Sequence, residues 1–519
     1  MKDKTMPSGA DFLRLARNPF ERLFDALVDP TRRERTVLLL LAGYAATWTL
    51  YAIIAKGSQD LHYDMGEFVA WSREVGLSTP KHPPLGAWLV RVWFSVFPLD
   101  DWAYYLLAVI SATMALWIIW RVSARYLPPD KHAVGIMLLT FVPFYNFQAL
   151  KFNANTVLIP LWAATTWWFL RSLETRRTGW AVMAGIGAAA SMLGKYWSIF
   201  LLAGLGLAAL IDRRRGAYFR SPAPWLTIAV GTLLLAPHLA SVIVHKFQPF
   251  RYAMAWHAAT FATAAASSLK FIAGSLGYIA APIILSVLAA RPSVRAIGDT
   301  LCPVEPGRRT ILVAFAAPLL LAALAAVPLQ VSIVALWSMS AMTLLPVVLL
   351  SSELVVIPRD AAVRVLALAM GFPLLMVAVS PVVAVVIHRK GLANYAGHYR
   401  LIARAVEQAW HERTETPLRV VASYPDLVNG IIFYFSDRPS TFAITAPILT
   451  PWVDENRIKR EGIAIVCPEP EVACVQAMKA YAARYSGAKS EDVVLARRYF
   501  GTFDTPVRYK IVIIPPAAQ

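Results

Sequence analysis

The feature that most limits what this chain can become is the recurrence of apolar runs of about 20 residues, the length an α-helix needs to cross a bilayer core of about 30 Å. The first runs from Thr36 to about Ala55, behind Arg32, Arg33 and Arg35. Others follow at about 102–120, 132–149, 156–170, 179–194, 197–211, 224–244, 268–290, 310–327, 331–350 and 365–387, which predicts about eleven spans and up to about thirteen where runs are broken. Lipid offers no partners to backbone N–H and C=O groups, so such segments must be helical. The fold class read here is mainly α, a polytopic membrane protein. The first run is too long for a signal h-region and lacks a small-residue cleavage site, so it is expected to remain as an anchor.

The chain carries a net charge of +18 over 519 residues, yet its basic residues fall in short loops rather than on one compact basic domain, which argues against nucleic acid. Arg121, Arg125 and Lys131, then Arg171, Arg176 and Arg177, Arg213 to Arg215, and Arg291, Arg295, Arg308 and Arg309 all fall on alternate loops. The positive-inside rule puts those loops and the N-terminus in the cytoplasm. An odd number of spans then leaves the C-terminus outside, in the periplasm beyond a bacterial inner membrane. Residues 1–35 read as a cytoplasmic segment in which Asn18-Pro19, followed by Phe20, Leu23, Phe24 and Leu27, predicts a short helix on the membrane surface.

Residues 36–387 read as the transmembrane domain, and from about His388 the composition changes. Strand-like runs at Leu418–Ser423, Ile431–Phe435, Gly462–Val466 and Tyr509–Ile514 alternate with helical stretches at Leu401–Arg413 and Val472–Tyr485. Residues 388–519 are therefore expected to form an extracytoplasmic α/β domain. Cys467 and Cys474 lie in it, and either a small disulfide loop or two buried thiols fits the sequence. With Cys302 the three cysteines show neither the number for a disulfide framework nor the spacing of a metal site.

The ionisable residues collect in the first outer loop, 57–100. Asp64 and Glu67, three apart, lie on one face of any helical turn. Lys81-His82 precedes Pro83-Pro84, which cannot continue a helix. Pro84–Phe97 reads as an interfacial helix with Trp88, Trp93 and Phe94 as its aromatic belt. Lys195-Tyr196, Lys246 and Arg251 reach the same outer face in this topology, as do His245 and His257. Ionisable groups beside a membrane are functional candidates by default. The competing readings are an ordinary loop with snorkelling lysines or, from another class, a lipid or solute transporter or flippase without catalysis. Transporters place polar sites near the midplane, whereas these residues gather at one interface.

Tyr63-Asp64, Trp71-Ser72, His82-Pro83-Pro84-Leu85 and Ala87-Trp88-Leu89 resemble the first periplasmic loop of GT-C glycosyltransferases of the dolichyl-phosphate-mannose–protein mannosyltransferase type, which includes the aminoarabinose transferase and rhizobial galacturonosyltransferases. Gly194-Lys195-Tyr196, Pro237-His238-Leu239, His245–Phe250, Phe433-Tyr434-Phe435 and Arg438-Pro439 resemble further pieces of that family in the same order. The resemblance implies a GT-C fold and sugar transfer from a polyprenyl-phosphate donor to an envelope acceptor: lipid A or core, another glycolipid or glycan, or protein. It implies Asp64 as the catalytic carboxylate, assisted or flanked by Glu67. Lys81, His82, Lys195, Tyr196, Lys246 and Arg251 are the candidates for phosphate and sugar. The expected partners are donor, acceptor and membrane lipids, in a monomer. Two positions depart from the family: Met65, where an acid often follows Asp64, and Asn155, where an acid is often found. An amide is a poor ligand for a hard cation, so no cofactor and no obligatory metal is expected, a divalent ion being the alternative.

Reporter fusions test the topology. A fusion at the C-terminus is expected to be active only outside the cytoplasm, and fusions in the Arg213 and Arg308 loops only inside.

Overall fold

The computed structural model describes residues 18–74 and 76–517. Every expected apolar run coincides with helix. Arg33–Ala55, Asp101–Ser123, Ala223–Val244, Pro306–Ala326 and Arg359–Lys390 are each long and apolar enough to cross a membrane. Two further crossings are bent pairs, Pro129–Leu139 with Pro143–Leu150 at 80° and Phe261–Tyr278 with Ala280–Ala290 at 45°. Length and composition thus support five to seven full crossings among the described residues. The other runs form Ala154–Thr175 and the shorter helices Thr178–Gly194, Tyr196–Ile211 and Ala335–Leu350.

The break in the third run has a local cause that matters for function. Pro143 has no N–H to give to a continuing helix, and Asn146 donates its side-chain amide to the freed Thr140 carbonyl at 2.9 Å. The chain proceeds as 3₁₀ turns, Pro143–Tyr145 and Phe147–Leu150, and delivers Lys151 and Asn153 under the first loop. Near the N-terminus, Asn18 caps the helix Pro19–Val28 through the Phe20 N–H at 3.1 Å. Phe24 and Leu27 of that helix are buried in the protein core, so the apolar stripe packs largely on neighbouring helices. Residues 1–17 lie outside the described residues.

The C-terminal part is an α/β unit. Seven strands follow in chain order: β1 Val420–Ser423, β2 Ser440–Ala443, β3 Ile463–Pro468, β4 Lys489–Leu495, β5 Arg498–Tyr499, β6 Thr502–Phe503 and β7 Val507–Ile514. A five-stranded sheet runs β2-β1-β3-β7-β4, and β5 and β6 form a separate hairpin. β1 pairs parallel with β2 and β3, and β7 antiparallel with β3 and β4. The central strands are buried on both faces, as parallel strands must be. Val421, Ala464, Val466, Ile511 and Ile513 join the core that continues into the helical array. Val420, Ala422, Ile463, Ile465 and Val512 pack on the opposite face, where Cys467 and Cys474 are disulfide-bonded.

Three of the expected strands appear, at β1, β3 and β7. Ile431–Phe435 does not: it forms the end of helix Pro425–Ile431 and the 3₁₀ turn Ile432–Tyr434. Pro425 at the first helical position favours that outcome, and the apolar run is buried on all sides, which strand and helix share. β2 and β4 carry no matching expectation because β4, KSEDVVL, is a charged, half-exposed edge.

Two contacts fasten this unit to the first loop. Asp60, whose side chain is fully buried, accepts from Arg497 at 2.9 Å and from the Arg400 N–H at 3.0 Å. The Arg400 guanidinium pairs with Asp101 at 3.0 Å, Tyr434 donates to Asp101 at 3.1 Å, and the Leu61 N–H donates to the Tyr434 hydroxyl at 2.8 Å. The second contact is steric. A Cβ on Gly66 would lie 1.8 Å from the Asn429 carbonyl oxygen, so only glycine lets helix Pro425–Ile431 seat on helix Tyr63–Arg73.

Asp60→Asn leaves two arginines facing a neutral amide. Breaking a buried pair costs about 3–5 kcal/mol, and the lower figure applies because Arg400 keeps some solvent. A lowered melting temperature and faster proteolysis of the C-terminal unit are expected.

Candidate active site

Helix Tyr63–Arg73 starts at His62, whose Nδ1 accepts the Asp64 backbone N–H at 3.1 Å. A nitrogen that accepts cannot carry a proton, so the 3.8 Å approach of His62 Nδ1 to Asp64 Oδ1 is a contact with a neutral ring. Burial pulls the His62 imidazole down to about 4, in the same sense. Asp64 stands in the first turn, where a negative charge suits the helix dipole, and Glu67 follows one turn later on the same face. Both line a cavity of about 610 Å³, together with Lys81, His82, Asn153, Asn155, Lys195 and Tyr196.

Each carboxylate meets its own lysine. Asp64 Oδ2 lies 3.2 Å from Lys151 Nζ and accepts from Asn153 Nδ2 at 3.0 Å. The same Asn153 caps helix Ala154–Thr175 through its Oδ1, so one residue fixes both the helix start and the carboxylate. Burial would raise the Asp64 carboxyl, but Lys151 and Lys81, with the Asn153 hydrogen bond, outweigh it and hold it well below the usual range. Glu67 receives Lys81 Nζ on both oxygens, at 3.2 and 3.1 Å. It is deeper, and burial, helped by Asp64, pushes it up to about 7 against the pull of Lys81. Lys81, facing Glu67, Tyr252 and Asp64, is held protonated in spite of its burial.

Lys195 follows Gly194 at the end of its helix and donates to Asn155 Oδ1 at 2.7 Å, with its ammonium 4.6 Å from the centre of the Trp337 ring. An amide oxygen does not neutralise it. Burial, then Lys81, pulls Lys195 down to about 7, and an incoming anion would reverse that. Tyr196 donates to His238 Nε2 at 3.0 Å, while His238 Nδ1–H donates to the Leu77 carbonyl at 2.6 Å. The loop 79–82 closes on itself through Thr79 and the His82 backbone at 2.6 and 3.1 Å, and the His82 ring packs edge-on to Trp71. Burial pulls that imidazole well below its ordinary value, so His82 enters the cavity as a neutral ring.

Six of the eight residues picked from sequence therefore converge. Lys246 and Arg251 do not: both are exposed and outside the cavity lining. Helix Gln248–His257 turns Pro249, Phe250, Tyr252, Ala253, Met254 and His257 to the cavity, which leaves Arg251 on the remaining, outward side of the turn. Lys151, Asn153, Asn155, Tyr252 and Trp337 were absent from the expected site. Lys151 and Asn153 carried a faint signal, a polar turn between two apolar runs, but nothing local tied them to Asp64. The carboxylates are matched to ammonium groups rather than to each other. No group of three or more His, Cys, Asp or Glu converges among the described residues, and the ammonium groups of Lys151 and Lys81 face the Asp64 and Glu67 carboxylates.

Residues 81–240 match the family described as dolichyl-phosphate-mannose-protein mannosyltransferase. The chain superposes on ArnT from Cupriavidus metallidurans, crystallised bound to undecaprenyl phosphate, with a TM-score of 0.59, 15% identity and coverage of 92% of this chain and 97% of that one. This is the GT-C fold. GT-C glycosyltransferases of the ArnT type are what the chain resembles in both sequence and architecture. Two curated relatives from Rhizobium johnstonii are similar over shorter stretches. One, the lipid A galacturonosyltransferase RgtD, is 22% identical over 40% of this chain and 42% of its own length. The other, the lipopolysaccharide core galacturonosyltransferase RgtB, is 26% identical over 41% and 43%. The chain thus matches less than half the length of these two relatives.

Glu67 is expected to be protonated below about pH 7 and ionised above it. Infrared difference spectra should show a protonated-carboxyl band that disappears as pH rises through about 7 and is missing throughout in Glu67→Gln.

Proposed function

We propose that this protein is an integral membrane glycosyltransferase that takes a sugar from a polyprenyl-phosphate donor and places it on an envelope glycolipid, with the lipid A or core part of lipopolysaccharide as the acceptor. The observation that carries the reading is one cavity holding an ionised carboxylate, Asp64, and a buried lysine, Lys195, that makes no ion pair among the described residues, beside apolar residues such as Ala322, Ala326 and Trp337. The acceptors named for the Rhizobium relatives and the ligand of the superposed structure support the choice of acceptor and donor. The cavity lies at helix ends and loop residues rather than along the helices, which favours an enzyme at the membrane surface over a transporter.

In this reading an acceptor hydroxyl attacks the anomeric carbon and the bond from that carbon to the phosphate oxygen breaks. The polyprenyl phosphate leaves toward Lys195, whose charge meets the one developing on the leaving group. Asp64 orients the hydroxyl and receives its proton. Its carboxylate is present across the physiological range, though the Lys151 pair lowers its basicity. Glu67 is nearer the working pH, but both of its oxygens are held by Lys81, which gives it the positioning role. The cavity side and residues 388–519 are assigned to the periplasm, and the N-terminus to the cytoplasm.

Turnover of a polyprenyl-phosphate sugar by the purified protein tests the proposal. Asp64→Asn is expected to lose about 10²-fold or more in rate while donor binding survives. Normal turnover in Asp64→Asn with loss in Glu67→Gln would move the catalytic carboxylate one helical turn along. No turnover by the parent with any donor would return the protein to the transporter reading.

A further inference from the structure

The hairpin β5–β6 carries two phenylalanines that its surroundings leave bare. Phe500 is 77% exposed and Phe503 64%. The turn between the strands is Phe500-Gly501, both with positive φ, 45° and 79°. A two-residue turn of this hand favours asparagine or aspartate before the glycine, and a bulky residue at positive φ is an outlier. The sequence thus sets a large aromatic ring at the most projecting point, in a backbone conformation that resists it. A water-facing tip gives no reason for either feature.

The hairpin's neighbours give it a level. The His388 ring packs on Tyr499 at 5.6 Å, and its Nε2 lies 3.2 Å from the Thr502 carbonyl. Arg497, just before β5, donates to the Gly57 carbonyl at 3.3 Å and pairs with Asp60. His388 is in the last turn of helix Arg359–Lys390, and Gly57 lies two residues beyond helix Arg33–Ala55. These are the points at which two spanning helices leave their apolar stretch. Val386 and Val382, two and six residues before His388, are still exposed apolar side chains, whereas Arg389 and Lys390 after it are exposed and charged. The tip therefore sits at the boundary between hydrocarbon and headgroups, where aromatic and basic residues are favoured together. Arg498 lies 6.0 Å from the Phe503 ring.

We infer that the β5–β6 hairpin is a membrane anchor of the C-terminal unit, with Phe500 and Phe503 inserted among the lipids of the near leaflet and Arg498 at their phosphates. Exposed Phe500 and Phe503 beside the ends of two spanning helices are the juxtaposition that carries it. The hairpin lies between β4 and β7, and Arg497 leads from it to Asp60. A grip on lipid would thus be transmitted to the contact that holds the sheet over the cavity. The inference needs the spanning helices but not the glycosyltransferase reading.

Site-directed spin labels test it in the full chain, in nanodiscs of phosphatidylethanolamine and phosphatidylglycerol. Cys302, the free cysteine among the described residues, is replaced by serine, and labels are attached in separate variants carrying Phe500→Cys, Phe503→Cys and, as an exposed control on the same unit, Ser486→Cys. Collisions with oxygen are expected to exceed those with a water-soluble nickel chelate at 500 and 503, and the order to reverse at 486. The chelate reaching 500 and 503 as freely as 486 would overturn the proposal and leave the hairpin to a soluble partner or to water.

Discussion

Asp60 is the constraint on which the rest of the arrangement depends. Its carboxylate is withdrawn from water and faces Arg497 and the Arg400 backbone from the C-terminal part of the chain. A buried charge is tolerable only when paired and hydrogen-bonded, so Asp60 can stay withdrawn from water only while Arg497 and the Arg400 N–H of the α/β unit meet it. Four residues later the chain reaches Asp64, and Gly66 gives helix Pro425–Ile431 its seat. The catalytic candidates are thus held between helix ends below and a sheet-bearing unit above.

Within that frame, two carboxylates one helical turn apart acquire opposite characters. Asp64 meets Lys151, Asn153 and Lys81 and stays ionised; Glu67, deeper, rises to about 7. Environment rather than residue type sets the difference. The lysines divide in the same way. Lys81 faces carboxylates and keeps its proton, whereas Lys195, with an amide oxygen and an aromatic face beside it, falls to about 7. Among the described residues Lys195 makes no ion pair, and it stands beside Asn155, where the resemblance would often put an acid. The departure at that position therefore changes the electrostatics of the site rather than removing a contact.

Much of this was legible in the sequence. Apolar runs determined helices because a bilayer-length stretch without backbone partners has no other form. Asp64, Glu67 and the Lys81-His82 corner could be grouped because they are close in the chain and the prolines fix a turn. The strands β1, β3 and β7 were readable as apolar runs of the right length. Tertiary structure decided what sequence distance hides. Lys151 and Asn153 reach Asp64 from 87 and 89 positions away only because Pro143 breaks a helix, and Arg497 reaches Asp60 across 437 positions. Ile431–Phe435 became helix because an apolar run buried on all sides has no period to read. Lys246 and Arg251 share a loop with cavity residues; the rotation of helix Gln248–His257 turned Arg251 outward, and Lys246 stands exposed before that helix. Residue types and their order determined that the chain is helical in a membrane with acids on its first loop; which charges meet was settled by packing, since burial and distance are properties of the folded chain alone.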